Sequence, residues 1–474
     1  MALQVPDVPV MVEVARPLAA DASAPLRLVD VIASVDRHYP KVRGAAMAVR
    51  AADAKASSKE GAFDPVVSLG AESLRYNSAS SRGKALVGSS NDFGVEWTTP
   101  EGTKVAAVRT LNAGGVKSPD SATGALGTWS FAVKVPLLRG NGVNDKLVAR
   151  DQTRYGVPAA RLDAVRLRFD VRFDASVAYW NWVGAVRRST VRERLLDIAT
   201  TRAAQIRTEV EAGGRPPIDS VEADGEVALR EADLLKARRD VEKGALSLGK
   251  FLWSADGAPA RLPDPIRAPG PESAPATPVP VAAEALENAT RGAWERRPEL
   301  AALALERRRL ALDRRLAEND ILPSVDLVVA PGLDLGDRGV GETMKAGVRI
   351  SAPVGRIDAR GRREEAIAKD RKLELDEELA RRLVRIEVED AVSAVNRAIE
   401  RLGATDRSRR RLRELEDGER LRFQEGDSTL FLLNQRERQS AEAESRWIDA
   451  AIDVELARAQ FRWSALLEDD HGIG

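Results

Sequence analysis

Two hydrophobic periods alternate along the chain. Leu28–Lys59 and Trp294–Asn319 keep a helical period, and short runs with a period of two follow each. "WSFAVKV" (129–135) places Trp129, Phe131, Val133 and Val135 on one face and Ser130, Ala132 and Lys134 on the other. "AGVRISA" (346–352) sets Ala346, Val348, Ile350 and Ala352 against Gly347, Arg349 and Ser351, and "SVDLVVA" (324–330) alternates more weakly. One apolar face opposite one polar face predicts β-strands. The pattern fits a soluble sandwich, or a barrel with lipid outside and water inside.

The helical period then returns for two much longer stretches. Val165, Phe169, Phe173, Val177 and Trp180 recur at three- or four-residue steps, and Leu383, Ile386, Asp390, Val392 and Val395 do so less strictly. Each stretch, if continuous, holds ~70 residues and spans roughly 100 Å at 1.5 Å rise per residue. Pro158, Gly184 and Gly403 allow bends or breaks. The long stretches end at Gly213 and at "EGDSTLFLLNQRE" (425–437). Gly426 suits a helix C-terminus that needs φ > 0. Asp427, Ser428 or Thr429 can cap the helix that follows. The return helices read as Asp219–Trp253 and Ser428–Leu467. Such hairpins are too long to bury in one globular core, so their apolar seams need lateral, coiled-coil partners.

The pattern is duplicated. Pro40 aligns with Pro298 and Pro65 with Pro323, both 258 residues apart. Pro136 aligns with Pro353 and Arg139 with Arg356 at 217, and Gly213 with Gly426 at 213. The drop from 258 to 217 means 41 extra residues between Pro65 and Pro136, and "VEWTTPEGTKVAAVR" (95–109) there reads as a hairpin around Pro100-Glu101-Gly102. The expected organisation is a flexible leader (1–25), a first repeat (26–253) and a second repeat (286–470), joined by a Pro-rich linker (254–285). Strands fall at about 65–136 and 324–352. Long helices fall at about 144–212, 219–253, 358–425 and 428–467. The linker holds eight prolines and no apolar period, which predicts extended chain.

Composition narrows the functions. Lys+Arg and Asp+Glu both number 73, so no nucleic-acid footprint is expected. The basic run 407–422 alternates with acids and reads as a solvated helix face. Cys is absent, which excludes disulfides, thiolate metal sites and a lipid-bearing N-terminal Cys. No apolar stretch is long enough for a transmembrane helix, which leaves a β-barrel open. The N-terminus lacks a basic region followed by an apolar core, so no signal peptide is visible. His38 and His471 are the only histidines and lie far apart. "GDST" lacks the Gly-Lys-Ser/Thr of a phosphate loop. No catalytic residue, metal or cofactor is therefore expected.

The ordered set "FDP", "PLLRG", "AYW", "RPEL", "LPSVDL", "VEDAVSA" and "RFQEGDSTLF" resembles the TolC family of outer-membrane efflux and secretion proteins, from about Leu26 to Glu468. The resemblance implies a mainly α fold with a β-barrel part, assembled as a homotrimer. Each chain would give four strands to a 12-stranded transmembrane barrel and its helices to a periplasmic α-helical barrel. It implies a passive exit duct in the outer membrane of a Gram-negative-type cell. The duct would serve efflux or type I secretion with a periplasmic adaptor and an inner-membrane transporter. Trp129, Phe131, Val133, Val135, Val348 and Ile350 would then face lipid, and Trp97 and Trp129 suit a membrane interface. Gly213, Arg215, Asp219, Gly426, Asp427, Ser428, Thr429, Leu432, Asn434 and Gln435 would form the periplasmic tip and gate. Arg215, Arg422 and Arg436 are the candidate partners of the Asp219 and Asp427 carboxylates. Some relatives carry acids near the positions of Leu432 and Gln435, which are neutral here. The alternative is a soluble or periplasmic coiled-coil scaffold or adaptor. An adaptor would carry one hairpin rather than two serial copies.

Overall fold

The computed structural model describes residues 25–77, 83, 85–115, 122–269, 279–337 and 339–467. The expected leader and the middle of the Pro-rich linker lie outside these residues. The chain divides into two compact units. One comprises 48–161 and 302–377, the other the described parts of 1–47, 162–301 and 378–474.

In the first unit, β1 (Val66–Asn77), β2 (Ala85–Thr98), β3 (Lys104–Gly114), β4 (Gly127–Pro136), β5 (Ser324–Leu335) and β6 (Gly341–Ser351) form one sheet. They pair antiparallel in chain order. The sheet therefore has six strands, two more than the expected four. The additional pair is β2–β3, which turns at the expected Pro100-Glu101-Gly102. The Thr99 N–H donates to the Thr103 carbonyl (2.8 Å), and the Gly102 N–H to the Thr99 carbonyl (2.9 Å), with Gly102 at φ 90°. Full-length strands were hidden there because Gly88, Ser89, Ser90, Asn91 and Asp92 interrupt the alternation of β2.

Directly paired residues of antiparallel strands share a face. The register therefore aligns Val67, Val95, Ala107 and Phe131 in one row, and Trp97, Val105, Val133, Val329 and Ala346 in the next. Val135, Leu327 and Val348 continue the same face. The opposite face carries Gly94, Val108, Ser130 and Gly332 in one row and Glu96, Ala106 and Ala132 in another. Lys104 and Lys134 lie directly paired on it. The small or polar side is thus as continuous as the apolar one.

The other main elements are helices, which make up the second unit and part of the first. Pre-proline residues resist the α conformation, and this breaks both N-terminal helices at matching points. α1 (Leu28–His38) stops at extended Tyr39 before α2 (Pro40–Glu60). α5 (Ala283–Arg296) stops at extended Arg297 before α6 (Pro298–Asp320). The expected single helices are therefore pairs, and α5 starts inside the expected linker. α3 (Asp145–Glu211) runs unbroken through Pro158, and α7 (Ile357–Gln424) through Gly403. Their returns are α4 (Pro217–Gly249) and α8 (Leu430–Ala465). The main core gathers Val31 and Val35 of α1, Tyr179, Trp182 and Val183 of α3, Leu248 of α4 and Ile452 of α8. The first part of the linker is not free chain. Trp253 bridges Pro259, Pro265–Arg267 forms a 3-10 turn, and the Leu26 N–H donates to the Arg267 carbonyl (2.8 Å).

Candidate functional site

Both hairpins turn by one mechanism. At the first, the Gly213 N–H donates to Val210 (3.0 Å) and the Gly214 N–H to Glu209 (2.8 Å). At the second, the Gly426 N–H donates to Phe423 (3.2 Å) and the Asp427 N–H to Arg422 (2.9 Å). These are Schellman closures, each with its glycine in the left-handed region at φ 77° and 85°. The restarts differ. Thr429 caps α8 by accepting from the Leu432 N–H (3.3 Å). α4 instead begins at Pro217, whose fixed φ suits the first helical position and whose missing N–H removes one of the orphan donors there.

The two tips touch within one chain. The Arg215 guanidinium lies 5.1 Å from the centre of the Phe423 ring, where a cation–π attraction acts. It also contacts Glu209 and pairs with Asp219 at 3.4 Å. These partners hold the Arg215 pKa above its ordinary value, the hydrogen bond to Glu209 contributing most. Just inside, Ala203, Ile206, Ala223 and Leu430 form a small apolar cluster flanked by Phe423. On the second tip, Ser428 donates its hydroxyl to buried Glu419, and Arg422 donates to the Asp427 carbonyl (3.1 Å). Arg436 stands 3.9 Å from Glu419. The Asp427 side chain is exposed and enters no ion pair among the described residues. Leu432 and Gln435 are half-buried, and Asn434 is buried.

Asn434 belongs to a polar network that the sequence patterns did not indicate. Glu437 of α8 is 0% exposed. It accepts from Arg202 of α3 (3.0 Å to Oε2, with a second contact to Oε1) and from Arg230 of α4 (2.8 Å). Arg202 also donates to Asn434 Oδ1 (2.9 Å). Arg230 donates to Glu226 (2.8 Å) and to the Leu195 carbonyl (2.8 Å). Burial pushes the Glu437 pKa up. Hydrogen bonds and charge from Arg202 and Arg230 outweigh it and hold the carboxyl below its ordinary range. One carboxylate thus ties three helices together behind the tips.

The expected lipid-facing residues share the continuous apolar face of the sheet. Trp129, Phe131, Val133, Val348 and Ile350 are exposed, Ile350 by 68%, and Val135 is half-buried. Reading the sequence alone left out Val67, Leu69, Phe93, Val105 and Met344, which are exposed on the same side, Leu69 by 84%. An uncovered apolar face this wide is not an ordinary soluble surface.

No family model matches the sequence, and no curated protein does. The fold is that of outer-membrane channels. The outer-membrane channel OprN is 17% identical, with a TM-score of 0.67 over 92% of this chain and 89% of that one. The CmeC outer membrane channel of Campylobacter jejuni is 12% identical, with a TM-score of 0.66 over 93% and 87%. The open-state MtrE outer membrane channel of Neisseria gonorrhoeae is 16% identical, with a TM-score of 0.66 over 94% and 89%. The TolC-like fold implied by the sequence resemblance is therefore the fold of this chain.

Proposed function

We propose that the chain is one protomer of a passive outer-membrane exit channel, closed by copies of itself. The observation that carries this reading is the sheet. Among the described residues its apolar face is uncovered across six strands, and β1 and β6 leave two unpaired edges. In lipid an open edge leaves backbone groups without partners, so a sheet there must close. A second feature points the same way. Leu375, Leu379, Leu383 and Ile386 form an exposed stripe on α7 at coiled-coil spacing, and it needs a neighbouring helix. Three copies are the assembly implied by the family resemblance. In this reading the sheet crosses the outer membrane, and the hairpin tips face a periplasmic adaptor that joins the duct to an inner-membrane transporter. Efflux or type I secretion both fit such a duct, and no catalysis is required of it. The scaffold or adaptor alternative gains nothing from the fold, which matches channel chains over nearly the whole length.

The test is to extract the protein from membranes in detergent and image the particles. Three-fold tubes with an axial channel are expected. A monodisperse monomer that stays soluble without detergent would overturn the reading.

A further inference from the structure

We propose that β2 and β3 are wall strands of the membrane barrel, so that three copies close a barrel of eighteen strands rather than twelve. The proposal deepens the channel reading and rests on it. The β2–β3 pair is not an appendage. It is stitched on both sides, β2 to β1 from Val66↔Glu96 to Asn77↔Ala85, and β3 to β4 from Lys104↔Lys134 to Thr110↔Thr128. Among the described residues β1 and β4 have no pairing of their own, and the hairpin is the only link between them in the sheet.

The faces continue through it. Val95, Trp97, Val105 and Ala107 carry the apolar side from Val67 on β1 to Phe131 and Val133 on β4. Gly94, Glu96, Lys104 and Ala106 carry the polar side, with Lys104 and Glu96 paired at 3.1 Å. A hairpin standing in water outside the wall would have no reason to keep the sidedness of its neighbours. Arg109 is the one charged residue that β2 and β3 place on the apolar side. It donates to the Leu126 carbonyl (3.0–3.1 Å) and lies 5.9 Å from the Trp129 ring centre. A guanidinium and an indole at one level suit the headgroup boundary.

Two added strands also preserve topology. An even insertion leaves β1 and β4 antiparallel, so the chain enters and leaves the sheet as it would without the hairpin. Barrel diameter grows roughly linearly with strand number, so eighteen strands give a lumen roughly one and a half times as wide as twelve. Barrels of that size hold water and need no side-chain filling. The small and charged inner residues, Gly94, Ala106, Ala132, Lys104 and Lys134, match such a lining.

Because the chain has no Cys, single cysteines can be spin-labelled without background in vesicle-reconstituted protein. Val95→Cys and Val105→Cys should be reached by oxygen and shielded from a water-soluble nickel chelate, and Glu96→Cys and Ala106→Cys the reverse. Phe131→Cys and Val133→Cys, against Ser130→Cys and Lys134→Cys, report the same alternation on β4. Alternation on all three strands supports the proposal. Alternation on β4 alone overturns it and leaves the channel reading standing. Loss of alternation on β4 as well overturns both. Imaging of the unsubstituted trimer gives an independent count: eighteen strands support the proposal and twelve overturn it.

Discussion

Glu437 carries more structural weight than any residue singled out at the tips. It is a buried carboxylate shared by two guanidinium groups from two other helices. Removing one member of such a set strands the others in a site with little water, at a cost of ~3–5 kcal/mol. Glu437→Ala should therefore lower the unfolding temperature of the detergent-solubilised protein sharply. A change within error would mean that water reaches Arg202 and Arg230. The pH dependence has a definite sign. Folding lowers the Glu437 pKa below its ordinary 4.5. The unfolded chain then binds the proton more readily, so this stabilisation is complete above about pH 4.5 and is lost as pH falls through the folded value. Glu437→Gln should flatten that acid limb of the unfolding temperature; an unchanged limb would assign it to other carboxylates. The sequence could not disclose this site. Arg202, Arg230 and Glu437 sit in helices dense with alternating charge, where a buried ion looks the same as a solvated one. Gly213 and Gly426 were legible because a left-handed closure demands a residue type, whereas burial of a charge does not.

At the scale of elements, the signals that survived from sequence to structure were those fixed by backbone chemistry. Pro40 and Pro298 end the helices before them because the pre-proline residue is forced out of the α region. That force went unrecognised, and each helix pair was read as one helix. Pro158 went the other way. The sequence allows a bend or break there, and α3 runs through it without a break. β2 was half-legible: its Val95–Trp97 end alternates, while Asn91 and Asp92 spoil the rest. The tips give a clean test of backbone strain. A Cβ on Gly213 or Gly426 would meet nothing within 4 Å, so only conformation resists substitution. Gly426→Ala should cost ~1–2 kcal/mol for a left-handed residue with a side chain. Gly426→Asn should cost less, because Asn tolerates that region. Equal losses for Ala and Asn, read by thermal unfolding, would place the cost in a contact rather than in φ.

At the scale of the whole molecule, the proposed channel would need a closed state that a partner can open. Closure by the hairpin tips needs ties to neighbouring copies that are strong together and weak singly. Asp219 is a poor candidate, since Arg215 of its own hairpin already holds it. Asp427 is the better one: its carboxylate is exposed and has no ion pair among the described residues, while Thr429 rather than Asp427 caps α8. An exposed ion pair contributes only ~0.2–1 kcal/mol. Three related pairs would then sum to at most ~3 kcal/mol, which would shift an equilibrium by up to roughly 150-fold and still yield to the proposed adaptor. In planar bilayers, Asp427→Ala should raise the conductance of the closed state, and Asp219→Ala should change it less. High salt should reproduce part of the Asp427→Ala effect by screening the same pairs. The neutrality of Leu432 and Gln435 adds a second expectation. Without an acidic ring at those positions, divalent cations should block the channel weakly, and Gln435→Glu should strengthen the block. If trimers of Asp427→Ala conduct as the unsubstituted channel does, closure resides elsewhere, and the tip carboxylates serve only their own hairpins.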